Sequence, residues 1–332
     1  MPSRADSPVD AARRAFLTQA GLAVAGLATV DATVNATVGA GAGATRLAAR
    51  IPTLAPTPAQ PPPRRLFSAY GITAPITRAV ELKAAGAEYL VEHVADALMP
   101  DASEAEFERH RELVASAVLP VRGCNVFLRP GLRCTGPDAD HAAVLAYADT
   151  ACRRLARLGG TFIGLGSSAS RQLPAGWPKA RADEQYTALL RAMAPLAGRH
   201  GITISVEPQR SAEVNYLNHV TEIIAIVRAV DHPSIRVLAD CYHMAVMEDA
   251  PADVAAARGL VGLVEIAEKA NRTVPGVAGD DFRPWFRALA AAGYTGPITI
   301  EGDGTPEQIR RAFSIIDTQS REALAAATTG AE

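Results

Sequence analysis

Short apolar runs alternate with longer amphipathic stretches from Leu66 to the end of the chain. Brief runs of Val, Ile and Leu bounded by turn residues read as buried strands. They fall at LFSAYGI (66–72), AEYLVE ending at Glu92, PVRGCNVF (120–127), TFIGLG (161–166), ITISVE (202–207), IRVLAD (235–240), GLVEIA (262–267) and PITIE (297–301). The stretches between them predict helices over 76–85, 103–117, 141–158, 183–199, 218–230, 252–260, 282–292 and 306–327. Ser103 and Glu106 have capping-box spacing at the start of the second of these. Gly159 and Gly160 are a fitting stop for the third. Eight strand–helix units within 66–332 predict an α/β fold, a single-domain (β/α)₈ TIM barrel, which typically takes about 250 residues. A doubly wound open sheet would carry a glycine-rich phosphate turn after its first strand, and AYGITAP is not one.

The N-terminal stretch breaks this pattern. Arg13 and Arg14 precede an apolar run from Gly21 to Val30, followed by small residues. That order describes a twin-arginine export signal over 1–44, with cleavage after Ala32, Ala42 or Ala44, and a periplasmic or extracellular destination. An ordinary amphipathic N-terminal helix is the alternative. The apolar run is too short for a stable membrane span. Residues 45–65 end in a proline-rich segment that reads as an extended spacer.

Four of the apolar runs stop on an acid: Glu207, Asp240, Glu265 and Glu301. In a parallel barrel the chemistry sits at the C-terminal strand ends, where side chains converge on one axis. Converging carboxylates repel unless a cation or protons neutralise them. The economical reading is one divalent ion, and oxygen-only ligands favour Mn²⁺ or Mg²⁺ over Zn²⁺. Glu92 and Asn125 also fall at strand ends, Asn125 with Cys124 and His93 reading as packing or supporting groups. His243, three residues after Asp240, lies in the following loop within reach of a substrate oxygen. Arg272 follows the seventh strand and suits a hydroxyl, carboxylate or phosphate. The Gly/Ser turn GLGSSASR (164–171) offers backbone N–H groups to an oxygen. Net charge of −2 and 5% aromatics give neither a basic field nor a stacking surface for nucleic acid. Cys124, Cys134, Cys152 and Cys241 show no CxxC spacing. A bridge between Cys124 and Cys134 is open in an oxidising compartment, but free thiols are the simpler expectation.

From about Leu66 to Gly302 the chain resembles the sugar phosphate isomerase/epimerase family, xylose-isomerase-like barrels that include ketose 3-epimerases and hydroxypyruvate isomerase. The resemblance rests on ISVEP at Glu207, AEVN at Glu213 and Asn215, LADCYHM at Asp240 and His243, EIAEKANRTVPG through Arg272, and GYTGPITIEG at Glu301. It implies one divalent ion, often Mn²⁺, on Glu207, Asp240 and Glu301. Where the family usually has a histidine as its remaining ligand, this sequence has Glu265, giving four carboxylates against one dication. The loop EPQRSAEVN also departs from the usual wording at Gln209, Arg210 and Ser211.

The activity implied is proton transfer next to a sugar carbonyl through an enediolate, with Glu207 and Glu301 as base and acid. His243, Arg272 and Glu213 would bind the substrate, with Glu92 assisting. Alternatives are a periplasmic lyase or hydratase of 3-keto-glycosides, and a non-catalytic carbohydrate-binding relative. A DNA-repair nuclease fits poorly, since those sites use several metals and many histidines. The expected partner is a small sugar; a homodimer is compatible with the sequence.

Overall fold

The structure is a computed structural model and describes residues 65–329. The twin-arginine motif and the spacer through Arg64 lie outside the described residues. Eight strands form a closed barrel: β1 (Tyr70–Thr73), β2 (Tyr89–His93), β3 (Val121–Asn125), β4 (Phe162–Leu165), β5 (Thr203–Val206), β6 (Ile235–Asp240), β7 (Val261–Ile266) and β8 (Ile298–Ile300). Each pairs in parallel with the next, and β8 returns to β1. Helices connect successive strands, so the expected (β/α)₈ architecture is present.

β1 opens at Tyr70, later than the apolar run beginning at Leu66. Leu66 and Phe67 are nevertheless buried. Phe67 packs edge-on against Phe286 with ring centroids 5.2 Å apart. Their hydrophobicity serves packing outside the sheet. The helix expected near 252–260 is shorter, Pro251–Ala255, and the one expected from Asp183 opens earlier, at Lys179. Short helical turns stand at Val94–Ala97, Ser168–Arg171 and Cys241–Val246, the last two where a Gly/Ser turn and a loop were expected. The capping box of Ser103 and Glu106 is formed: Glu106 N–H donates to Ser103 Oγ at 3.3 Å, and Ser103 N–H donates to Glu106 Oε2 at 3.0 Å.

Strand periodicity sorts side chains into two cores. Outward residues such as Leu90, Cys124 and Ile204 join the large layer between sheet and helices. Inward residues Ala69, Tyr89, Val91, Phe162, Leu238 and Leu263 fill the barrel. Tyr89 and Phe162 meet edge to face at 6.1 Å. Glycines on neighbouring strands make room for these rings. A Cβ on Gly71 would lie 2.1 Å from the Tyr89 ring, and one on Gly123 2.0 Å from the Phe162 ring. The Tyr89 hydroxyl donates to Ile298 O at 2.9 Å, so the plug is polar-satisfied. The same parity sets the next layer up. Asp240 is two residues beyond inward Leu238, and Glu265 two beyond inward Leu263, so both acids project into the barrel mouth. All four cysteines are buried free thiols, and the Cys124–Cys134 bridge is not formed. No helix among the described residues is long and apolar enough to cross a membrane.

Candidate active site

Glu207, Asp240, Glu265 and Glu301 each place a carboxylate oxygen within 4.8 Å of the other three. Asp240 and Glu265 stand side by side in the β6–β7 register. Glu207 and Glu301 follow β5 and β8, held by backbone bonds from Glu207 N to Leu165 O (3.1 Å) and from Glu301 N to Ile266 O (3.0 Å). Glu207, Asp240 and Glu265 are buried, and Glu301 is partly so. β4 contributes space here. A Cβ on Gly166 would sit 2.1 Å from Glu207 Oε2, and one on Gly164 would sit 3.8 Å from Glu265 Oε1. The Gly/Ser segment thus makes room for Glu207 at Gly166 and then turns into the helix Ser168–Arg171.

Each carboxylate is held differently. Asp240 caps the helix Cys241–Val246, its Oδ1 accepting from Tyr242 N (2.7 Å) and His243 N (3.1 Å). Its Oδ2 and the Oε1 of Glu265 are buried without a hydrogen-bond donor. Glu301 accepts from Asn125 Nδ2 at 2.7 Å on one oxygen and from Arg272 Nη2 at 2.6 Å on the other. Glu207 Oε1 lies 3.3 Å from His243 Nε2, and its Oε2 accepts from Gln209 Nε2 at 3.4 Å.

At 4.8 Å two unit charges repel by about 3.5 kcal/mol in a medium of effective dielectric 20. Burial, then Glu301, Glu207 and Asp240, drives the Glu265 carboxyl well above the usual carboxylate range. Burial and the Glu207 charge push Glu301 up to about 7, with Arg272 opposing. A divalent cation relieves this repulsion. Two unsatisfied buried oxygens and four convergent carboxylates fit a hard dication, and His243 with Glu207 and Asp240 forms an overlapping group that brings a nitrogen donor within the same 4.8 Å.

His243 is fully buried on a helix, where a loop was expected. Its Nδ1 accepts from Arg210 N at 3.1 Å, which places the ring proton of the neutral form on Nε2, facing the acids. Burial disfavours a charged ring while Asp240 and Glu207 raise its pKa to about 9 in the ion-free site, and charging the ring would cost the Arg210 N–H bond because Nδ1 would then carry a proton. Glu213 Oε2 lies 4.0 Å from His243 Nε2, while its Oε1 accepts from Arg210 Nε at 2.7 Å. Arg272 packs its guanidinium 4.7 Å from the centre of the Tyr242 ring and lies 3.7 Å from Asp240 Oδ2. Asn271 and Arg272 both adopt left-handed backbone (φ 58° and 52°), a strained pair that turns the arginine toward Glu301.

Glu92 is not brought into this cluster. It follows Val91 on β2, faces the helical layer, and accepts from Ile76 N at 2.9 Å. Asn125, read from sequence as a supporting group, directly holds Glu301. Sequence reasoning missed the pair behind Glu207. Arg171 is fully buried and donates through Nη2 to Gln209 Oε1 at 3.3 Å, which orients the Gln209 amide toward Glu207. Only the departure at Gln209 hinted at it.

The barrel with an acid-lined, ion-competent mouth has a counterpart in known proteins. Residues 76–319 match the model of the xylose isomerase-like TIM barrel family, and the chain belongs to that family. It is 30% identical over 149 residues to a ketose 3-epimerase of Arthrobacter globiformis, covering 44% of this chain and 51% of that protein. It is 29% identical over 125 residues to a 3-dehydro-D-guloside 4-epimerase of Escherichia coli K12, covering 37% of this chain and 47% of that protein. The matches thus span about half the length of these relatives. An L-ribulose 3-epimerase structure superposes with a TM-score of 0.66 at 20% identity, over 79% of this chain and 98% of that one.

Proposed function

We propose that this protein is a divalent-metal-dependent sugar epimerase or isomerase that moves a proton on the carbon next to a carbonyl. The observation that carries the reading is the set of four carboxylates converging within 4.8 Å at the barrel mouth, two of them with unsatisfied buried oxygens. Two partial sequence matches to sugar epimerases support it. Glu207, Asp240, Glu265 and Glu301 would hold the ion, with Mn²⁺ or Mg²⁺ suited to the all-oxygen set. Such an ion supplies Lewis-acid polarisation of the carbonyl, which acidifies the neighbouring C–H.

The remaining steps belong to the chain's own residues. Glu207 and Glu301 stand three strands apart in the ring and flank the mouth from different sides. One, as carboxylate, takes the carbon proton; the other, as carboxylic acid, delivers its own proton to the opposite face or the adjacent carbon, and exchange with solvent resets both. Donors behind each acid fix its orientation: Gln209 on Glu207, Asn125 and Arg272 on Glu301. His243 Nε2–H and Arg272 are the donors available to substrate oxygens as negative charge develops on them. Glu213 is the acceptor for a substrate hydroxyl. Glu92, turned to the helical layer, has no part in this scheme.

The proposal extends to the cellular site: Arg13 and Arg14 would direct the chain through the twin-arginine route.

The test is exchange. Metal-loaded protein is incubated in D₂O with a panel of ketoses and 3-keto-glycosides, and deuterium incorporation is followed by NMR. Deuterium at a single carbon beside the carbonyl is expected for at least one substrate. Absence of exchange throughout the panel, in protein shown to hold one ion, would overturn the reading in favour of sugar binding without catalysis. Release of an aglycone with exchange would make the enzyme a lyase.

A further inference from the structure

Beside the acid cluster a second cleft of about 360 Å³ opens between the segment after β4 and the loop after β5. Its walls are Ser168, Ala169 and Gln172 on one side and Ser211, Ala212 and Glu213 on the other. Glu213 belongs to both places, lying 4.0 Å from His243 Nε2 while lining the cleft. Ser211 follows Arg210, whose N–H holds His243, and Gln172 follows Arg171, which orients Gln209 on Glu207. A group in this cleft would therefore adjoin the reacting sugar.

The cleft is built before any ligand arrives. Asn215 clasps the two loops: its Oδ1 accepts from Leu173 N (2.8 Å), its Nδ2 donates to Leu173 O (3.0 Å), and its N–H donates to Gln172 Oε1 (3.1 Å). The clasp leaves the Gln172 Nε2 amide and the Ser168 and Ser211 hydroxyls without partners among the described residues. Two hydroxyls, an amide donor and a carboxylate acceptor match a neutral polyhydroxylated ring. The Glu213 carboxylate opposes a phosphate, and the lining offers no aromatic face for an aryl group. Its volume is in the range of small-ligand sites, about 300–1,000 Å³.

We propose that this cleft is a subsite for a hydroxylated ring joined to the reacting sugar, so that the natural substrate is a glycoside of a sugar or cyclitol. The proposal rests on the sugar epimerase reading above and narrows its substrate class.

The test compares, on the metal-loaded full chain, a 3-keto-disaccharide, methyl 3-keto-glucoside and p-nitrophenyl 3-keto-glucoside. Exposed Ala169 and Ala212 allow Ala169→Trp and Ala212→Trp to fill the cleft without replacing any of the four clustered carboxylates. Wild type is expected to prefer the disaccharide by tenfold or more in kcat/KM. Both variants should lose that preference through KM, with the methyl glycoside unaffected. An unchanged ratio in both variants, or a preference for the nitrophenyl glycoside, would overturn the subsite. If no substrate turns over, the functional reading fails by itself and calorimetry decides the subsite. Disaccharide binding in wild type that is lost in the tryptophan variants supports it; no binding in wild type overturns it.

Discussion

At the scale of single residues, the proposed ion site depends most on Glu265. It is the most deeply buried of the four acids together with Asp240, and no protein donor faces its Oε1. Replacing Asp240 or Glu301 with Ala should remove bound Mn²⁺ or Mg²⁺, measured by elemental analysis of purified protein. Unchanged metal content in both variants would end the four-ligand proposal. Glu265→His should move ion preference toward Zn²⁺ or Co²⁺, because imidazole suits softer ions. Competition binding would show this as a reversed order of affinities, whereas an unaltered order would mean Glu265 does not ligate. A pH signature follows from Glu301, whose pKa is raised from 4.5 to about 7 in the metal-free fold. Between those values the folded state binds more protons than the unfolded one, so stability falls as pH rises. The melting temperature of metal-free protein should therefore decline from about pH 4.5 to 7, and a saturating divalent ion should flatten that slope. Most of the acid cluster was legible because four apolar runs end on acids. Glu92 was misread for a physical reason. β2 is buried on both faces, so YLVE shows no polar alternation to reveal that Val91 points inward and Glu92 outward.

At the scale of elements, β4 shapes the site through residues it lacks. Gly166, just past the strand, leaves the volume that Glu207 occupies, since a Cβ there would sit 2.1 Å from Glu207 Oε2. Gly166→Ala should push Glu207 out of place and weaken ion binding tenfold or more, read by titration, with the circular dichroism spectrum unchanged. Retained affinity would show that Glu207 can shift without loss. Lower in the barrel, a Cβ on Gly123 would strike the Phe162 ring, which cannot yield within a plug shared with Tyr89. Gly123→Ala should cost about 1–3 kcal/mol by overpacking, measured by denaturant unfolding. Strand order and most helices followed from hydrophobic period alone. The helix Cys241–Val246 did not, because Asp240 is at once the last residue of β6 and the N-cap of that helix. A strand and helix sharing one residue leave no turn signal between them. That sharing fixes Asp240 Oδ1 on two backbone N–H groups and leaves Oδ2 for the mouth.

For the whole molecule, the described barrel brings its own constraints to the proposed export route. Four carboxylates this close repel one another, so the proposed ion, binding only the folded state, would stabilise the fold by mass action. The four thiols are buried and unpaired, so this fold needs no oxidising compartment to form. A protein of this kind can be completed, ion included, before it crosses a membrane, which is what a twin-arginine signal serves. The case for an ion rests on distances between the four acids that only the folded barrel supplies. Two consequences can be measured. The melting temperature of the metal-loaded protein should be the same with and without a thiol reductant; a drop on reduction would reveal a disulfide that stabilises the fold. Replacing Arg13 and Arg14 with Lys should trap the chain inside the producing cell, where fractionation would find it folded, protease-resistant and holding its ion. Continued appearance of the variant in the periplasmic fraction would show that a different signal carries it, and an ion-free trapped protein would show that loading happens outside.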